Sequence, residues 1–364
     1  MKLRLTAALG LSAALMLTAC AANEEPAAPN PATSTSDEQV AGLSGTLTGM
    51  GSSAMAVAQE NWIAQFQTAS PDVTVLYSPD GSGAGRDAFM GGGADFAGSD
   101  RAFTIEENAA GAFKSCTAES KALNLPVYIS PIAVVFNVEG VDSLNLTPDV
   151  LAAIFKGDIT NWSDEKIAAL NPDATLPDRV ITAVHRSDDS GTTDNFTTFL
   201  SNAAGDVWDA EPDGTWPYPR GEAAKGTSGV ISAVAGGVGT IGYADASQAG
   251  DNATASIGTD GAFELPTPEA AAAAVEASPV EEGRDENDLA LELDSSASGY
   301  PIVLVAYALA CTDYEDEANA ALVKAYLGYI ASEEGQQVAA DGAGAAPLSP
   351  TLREQVLAAI DSIQ

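Results

Sequence analysis

The sequence predicts an α/β protein of two lobes, two α/β domains joined by two crossing strands with a ligand cleft between them. Three observations predict it. Residues 45–100 run strand, Gly-rich turn, helix, strand, Gly-rich turn, helix, strand, the order of a parallel α/β unit. Two long apolar stretches, 125–137 and 300–307, bracket a second α/β region, as strands passing into a neighbouring domain and back would. About 320 residues beyond the N-terminal leader are also long for one core and suit two. The expected limits are 45–129 with 300–364 for lobe I, and 130–299 for lobe II.

Residues 1–20 read as an export signal, with Lys2 and Arg4 ahead of an apolar core, Leu5 to Leu17, too short to span a bilayer. The run ends Leu17-Thr18-Ala19-Cys20, which resembles a bacterial lipobox; cleavage before Cys20 would leave that Cys to carry lipid. A plain secretory peptide is the alternative. Residues 21–44 are Asn, Glu, Pro, Ala, Ser and Thr with almost nothing to bury, a disordered tether.

The folded body opens with a strand at Gly45–Thr48 and a helix over Ala54–Gln67, where Ala58, Trp62, Ile63 and Phe66 share the core-facing side. A strand at Val73–Tyr77, a brief helix through Met90 and a strand at Ala94–Asp100 follow. Leu125–Asn137, interrupted by Pro131, is the outward crossing, and Tyr300–Tyr307 the return. Between them lie Leu151–Phe155, Val180–Val184, a helix at Thr192–Leu200 and Gly239–Tyr243, then an Ala/Glu helix at 266–277 and an acidic loop at 280–298. Helices at Glu317–Ile330 and Thr351–Ile363 complete lobe I.

A Gly/Ser/Thr motif recurs three times just before a helical pattern: Gly49-Met50-Gly51-Ser52-Ser53, Gly81-Ser82-Gly83-Ala84-Gly85 and Asp188-Asp189-Ser190-Gly191-Thr192. Helix starts present unpaired N–H groups and the positive end of the helix dipole, and small residues let an anion approach. Three such starts meeting at one point would enclose a small anion. The setting is strongly acidic: 15 Lys and Arg stand against 51 Asp and Glu, a net charge of −36. Such a surface excludes nucleic acid and anionic membranes as partners, and an anion must be held by short-range hydrogen bonds.

Setting Cys20 aside as part of the signal leaves Cys116 and Cys311, an even pair suited to a disulfide in an oxidising compartment; two separate buried thiols are the alternative. With His185 the single histidine and no Cys/His cluster, neither a metal nor a cofactor is expected.

Several segments carry a family resemblance: Leu47–Ser53, Gly81–Gly83, Asp95–Asp100, the block from Ile154 to Trp162, Arg186–Thr192 and Gly239–Tyr243. In this order they resemble the phosphate-binding lipoprotein of the phosphate-specific ABC import system, a type II periplasmic-type solute-binding protein. The resemblance runs from about residue 45 to the C-terminus. It implies two lobes closing over one dehydrated phosphate, a membrane permease and ATPase as partners, a lipid anchor on the outer face of the cell membrane, and a monomer. Residue by residue it places Ser53 and Ala54, Ser82 and Asp100 on one side of the phosphate, with Arg186, Ser190, Gly191 and Thr192 on the other. One departure is Ser53-Ala54, where many members have Thr-Phe, so the aromatic wall is missing.

Each role has a physical reason and a plainer alternative. Arg186 offers a planar fork to two oxygens, or an ion pair to Asp188 or Asp189, and both can hold together. Ser53, Ser82, Ser190 and Thr192 supply hydroxyls, and Ala54, Gly191 and Thr192 backbone N–H groups; each hydroxyl residue is also a natural N-cap, and one of Ser52 and Ser53 is expected only to cap. Asp100 suits a protonated anion such as hydrogen phosphate and rejects sulfate, unless it merely pairs with Arg101. The rival readings are a binder of another oxyanion, a secreted phosphatase and a purely structural surface lipoprotein, the last of which leaves the three anion turns and Asp100 unexplained. The phosphatase lacks a metal cluster and a convincing nucleophile–base pair, so no catalytic residue is assigned.

Overall fold

The computed structural model describes residues 42–109, 111–293 and 299–364; the signal, Cys20 and the tether up to residue 41 lie outside them. The opening unit forms as the sequence suggests. Strand β1 (Gly45–Gly51), helix α1 (Ala56–Ala69), strand β2 (Val73–Ser78), helix α2 (Ser82–Gly91) and strand β3 (Phe96–Ser99) follow one another, and β1 pairs in parallel with both β2 and β3.

Strand β4 (Ala122–Asn137) leads into the next region, which opens with β5 (Asn145–Leu146), α3 (Pro148–Lys156), α4 (Glu165–Leu170) and β6 (Thr182–Arg186). Then come α5 (Gly191–Ala203), β7 (Glu222–Ala224), α6 (Gly226–Gly236) and β8 (Thr240–Asp245). Short strands β9 (Ala253–Thr254), β10 (Ser256–Thr259) and β11 (Ala262–Glu264) precede α7 (Pro268–Glu276). The chain returns through β12 (Val303–Cys311) and ends in α8 (Glu317–Ala331), α9 (Glu333–Ala343) and α10 (Pro350–Asp361). The main sheet has the order β2-β1-β3-β12-β4-β8-β6-β7, with β9 also on β4; β11, β10 and β5 form a small separate sheet.

Strand β4 belongs to both halves of this sheet. Residues 122–131 pair with β12, whereas residues 132–137 pair with β8. The change of partner falls at Pro131, which has no N–H to give a ladder. The N–H of Ile132 goes instead to the Ile302 carbonyl at 2.8 Å. The return strand starts at Val303, later than the expected Tyr300, and continues to Cys311. Residues 300–302 form a bonded connector, the Tyr300 hydroxyl donating to the Ile132 carbonyl at 2.7 Å.

Aromatic cores flank the sheet on either side of this change. Trp62, Phe66, Phe96 and Tyr326 are buried around β1 and β3, and Phe155, Trp162, Phe196 and Tyr243 around β6 and β8. Cys116 and Cys311 are joined by a disulfide with their Cα atoms 5.5 Å apart. Part of the acidic loop expected in lobe II docks on elements expected in lobe I. Arg284 donates to the Phe103 carbonyl, Leu289 N–H to the Asn124 carbonyl at 3.1 Å, and Asn124 to Asp288 at 2.8 Å.

Asp245, which ends β8 opposite Ile132, is fully buried. Its Oδ1 accepts from the Tyr128 hydroxyl at 3.0 Å and from the Ser247 N–H and hydroxyl, while burial pushes its carboxyl up from 3.8 to about 6. The folded state therefore holds this proton more tightly than the unfolded chain, so the associated stability is full below pH 4 and lost as pH rises through 6. At 1.36 kcal/mol per pKa unit the difference is about 3 kcal/mol. Asp245→Asn is expected to flatten this fall in stability between pH 4 and 6, read from melting curves at a series of pH values; an unchanged slope would remove Asp245 as its source.

Candidate anion site

Strand β1 delivers the first motif to the carboxyl edge of its half-sheet, where ligands of open α/β sheets gather. Gly51 has a φ of +145°, and a Cβ there would strike the Gly98 carbonyl of β3, so only glycine lets the strands approach this closely. The Ser52 N–H then bonds the Gly98 carbonyl at 2.8 Å, and the Gly81 N–H bonds the Gly51 carbonyl at 2.8 Å. The first two motifs are thereby tied to one another.

The two serines of the first motif divide their work. Ser52 braces the turn ahead of α1, its Oγ accepting from Ala54 N–H at 3.1 Å and Met55 N–H at 3.3 Å, and its hydroxyl donates to Asp100 Oδ1. The Ala54 N–H, expected to point at the ligand, thus has an internal acceptor. Ser53 turns the other way: its Oγ lies 3.0 Å from Thr227 Oγ1 and accepts from the Thr227 N–H at 3.1 Å. Ser82 opens α2, and its Oγ accepts from the Asp100 N–H at 3.1 Å.

The third motif arrives from β6, whose last residue is Arg186, 3% exposed. Its Nε donates to Asp188 Oδ1 at 2.8 Å and its Nη2 to Oδ2, leaving Nη1 outside the pair. Asp188 also accepts from the Gly226 N–H at the start of α6, at 3.1 Å. Burial works against the Asp188 charge, but the Arg186 hydrogen bonds and charge outweigh it and hold the carboxyl below its ordinary range. The sequence-level alternative for Arg186 is therefore present as geometry, through Asp188. Ser190 caps α5 by accepting from the Thr193 N–H at 3.2 Å, which leaves its hydroxyl hydrogen uncommitted by that bond.

Asp100 is where the halves meet. It is 3% exposed, and Thr192 Oγ1 donates to its Oδ2 at 2.9 Å. Asn195 of α5 donates to the Asp100 carbonyl at 2.6 Å. A Cβ on Gly191 would come within 2.7 Å of Asp100 Cβ and 2.8 Å of Ser82 Oγ, so the contact requires a residue without a side chain. Burial pushes the Asp100 carboxyl up, against the hydrogen bonds from Ser52 and Thr192 and the charge of Arg186. Arg101, the alternative partner, instead forks onto Glu107 at 2.7 and 2.9 Å.

The structure thus brings Ser82, Asp100, Gly191 and Thr192 together directly. Arg186 joins them through its charge on Asp100. Ser53 faces Thr227 instead, with its carbonyl held by Gln248 Nε2 at 2.8 Å. Thr227 did have a signal in the sequence, since Gly226-Thr227-Ser228-Gly229 is itself a Gly/Ser/Thr run at the start of α6. His185, the residue beside Arg186, stacks on Trp216 at 4.9 Å and places Nδ1 2.9 Å from the Arg186 carbonyl.

Two half-sheets sharing crossing strands, with helix starts and a buried Arg–Asp pair where they meet, describe a solute-binding protein. Residues 32–334 match the PBP superfamily domain. The chain is 38% identical over 338 residues to the phosphate-binding protein PstS 3 of Mycobacterium leprae, covering 88% of this chain and 89% of that protein. It is 34% identical over 301 residues to the phosphate-binding protein PstS of Methanocaldococcus jannaschii, covering 75% of each. Two solved structures share the fold. A phosphate-binding protein from Stenotrophomonas maltophilia has a TM-score of 0.69 at 20% identity, covering 86% of this chain and 94% of that one. A periplasmic phosphate-binding protein, PfluDING, has a TM-score of 0.71 at 23% identity, covering 86% and 93%. The chain belongs to the PstS phosphate-binding proteins of the PBP superfamily.

Proposed function

We propose that the protein captures inorganic phosphate outside the cell and delivers it to an ABC-type importer made of membrane permease and ATPase subunits. In this reading it works as a monomer held at the outer face of the membrane by lipid on Cys20. The observation that carries the reading is the meeting of two charges of opposite sign in one buried place. Arg186, paired with Asp188, would meet a fully ionised oxygen, and Asp100, whose N–H bonds Ser82 at the start of α2, would accept from a protonated one. Hydrogen phosphate carries both kinds of oxygen, and sulfate carries only the first.

Ser82 and Ser190 hydroxyls and the N–H groups of Gly191 and Thr192 complete the donor set. Ser53 contributes through its pair with Thr227. The Ala54 N–H, held by Ser52, is the weakest member. His185 is occupied by packing and by the Arg186 carbonyl, an arrangement that favours binding over hydrolysis.

Lobe I takes in residues 45–129 and 300–364, together with the docked part of the acidic loop, and lobe II takes in the rest of 130–299. Closure bends β4 at Ser130–Pro131 and the connector at 299–301, where the ladder changes partner. Small-angle scattering should show compaction on adding phosphate; an unchanged radius would count against the hinge. Thr227→Val removes the hydroxyl that meets Ser53 and is expected to weaken phosphate binding by roughly tenfold, the worth of one buried hydrogen bond.

The deciding experiment is calorimetric titration of protein stripped of endogenous phosphate, with phosphate and then sulfate at neutral pH. Tight one-to-one phosphate binding without sulfate heat is expected. Binding of both anions would keep the receptor and remove Asp100 as its filter, and binding of neither would overturn the reading.

A further inference from the structure

Arg86 is a buried cation that the anion site does not use. It sits on α2 four residues after Ser82, and residues at that spacing share one helix face. Its side chain is 6% exposed. Within its own half it reaches a hydroxyl, Nη1 donating to Ser99 Oγ at 3.1 Å. Its carboxylate lies across the cleft: Nη2 stands 3.2 and 3.4 Å from the two oxygens of Asp189, next to the cap residue Ser190.

The backbone is shaped for this contact. Gly83 N–H donates to the Asp189 carbonyl at 3.1 Å, and a Cβ on Gly83 or Gly214 would strike the Asp189 side chain. Neighbouring charges repeat the pattern. Arg101, engaged with Glu107, lies on the same side as Arg86, while Asp194 and Asp213 flank Asp189 on the other. In a chain of net charge −36, two arginines of one half face the acids of the other at this border. Burial disfavours the Arg86 charge, and Asp189 opposes that effect.

We infer that the Arg86–Asp189 pair is an interlobe latch that sets the fraction of closed protein, and thereby phosphate affinity, without touching the anion. The inference rests on the phosphate-receptor reading above. Parting the halves takes from Arg86 its carboxylate partner, and Ser82 on the same rigid helix moves with it. Apparent affinity scales with the closed fraction, so weakening the latch weakens binding even though every ligand contact is kept. The change falls on the release rate, because the pair forms after the anion has entered.

Asp189→Asn, Arg86→Met and the double variant test this by calorimetry and by stopped-flow phosphate release at low and high KCl. Each single variant is expected to bind roughly three- to fivefold more weakly through faster release, as an ion pair with one half-exposed partner allows. The double variant should be no weaker than the worse single one, and Arg86→Lys should restore part of the loss. Raising salt screens the −36 surface alike in all the proteins, so its effect on the pair should show as a narrowing of the gap between wild type and variants. Additive losses, unchanged release or equal salt dependence in all proteins would overturn the latch. Asp189→Asn keeps the test valid if Arg86→Met misfolds, since Asp189 is half-exposed and Asn keeps its shape. Wild type that binds phosphate alongside variants that match it would sink the latch alone. Wild type that binds no phosphate would overturn both inferences.

Discussion

Arg186→Ala is expected to reduce phosphate affinity by roughly 10²- to 10³-fold, measured by calorimetry against the wild type. Two losses combine. The anion loses a planar charged donor in a setting where few other cations lie near, and the chain's net charge of −36 gives no long-range help. Asp188 also loses its partner while still accepting only from the Gly226 N–H among the bonds that hold it here. A buried carboxylate left beside an anion repels it. Arg186→Lys should recover the charge but not the fork, and so land between the two. Asp188→Asn separates the terms, because it frees the guanidinium while removing the repelling charge, and its loss should be the smaller. A drop below tenfold for Arg186→Ala would mean that the helix starts and backbone N–H groups carry the binding.

The parts of this arrangement that were legible in the sequence are those with local causes. Gly51, Gly81 and Gly191 announce tight approaches, Ser52, Ser82 and Ser190 announce helix starts, and the apolar run around Pro131 announces a crossing strand. What was hidden depends on which surfaces meet. Nothing in Ser52-Ser53 says which serine turns inward; that is settled by Asp100 on one side and Thr227 on the other. Arg86 reads as an ordinary helix arginine until α2 is set against Asp189. Helix α6 starts without a side-chain cap, and Gly335 and Gly342 dilute the pattern of α9. The docking of 281–291 beside β4 and β12 rests on long-range bonds to Phe103, Asn124 and Tyr307, which no window of sequence contains.

Asp100→Asn is the variant expected to change selectivity most. Wild type should reject sulfate because both Asp100 oxygens already accept, from Ser52 and Thr192, and an ionised carboxylate has no hydrogen for a fully deprotonated anion. Leaving that contact unbridged in a site 3% exposed is worth roughly 10⁴-fold in discrimination. Asparagine keeps one acceptor for a neighbouring hydroxyl and turns the other position into a donor. Sulfate should then bind, phosphate should weaken modestly, and the ratio of the two affinities should fall by roughly 10³-fold. Acid should mimic the substitution. Burial has pushed the Asp100 carboxyl up, so it gains a proton before an ordinary carboxylate would as pH falls, and the protonated form can donate. Sulfate binding by the wild type should therefore strengthen toward acid pH, while in Asp100→Asn it stays nearly flat. Competition calorimetry with both anions across pH reads the ratio directly. Equal pH dependence in the two proteins, or a variant as selective as the wild type, would place the discrimination in the donor geometry of Ser82, Ser190 and Arg186 instead.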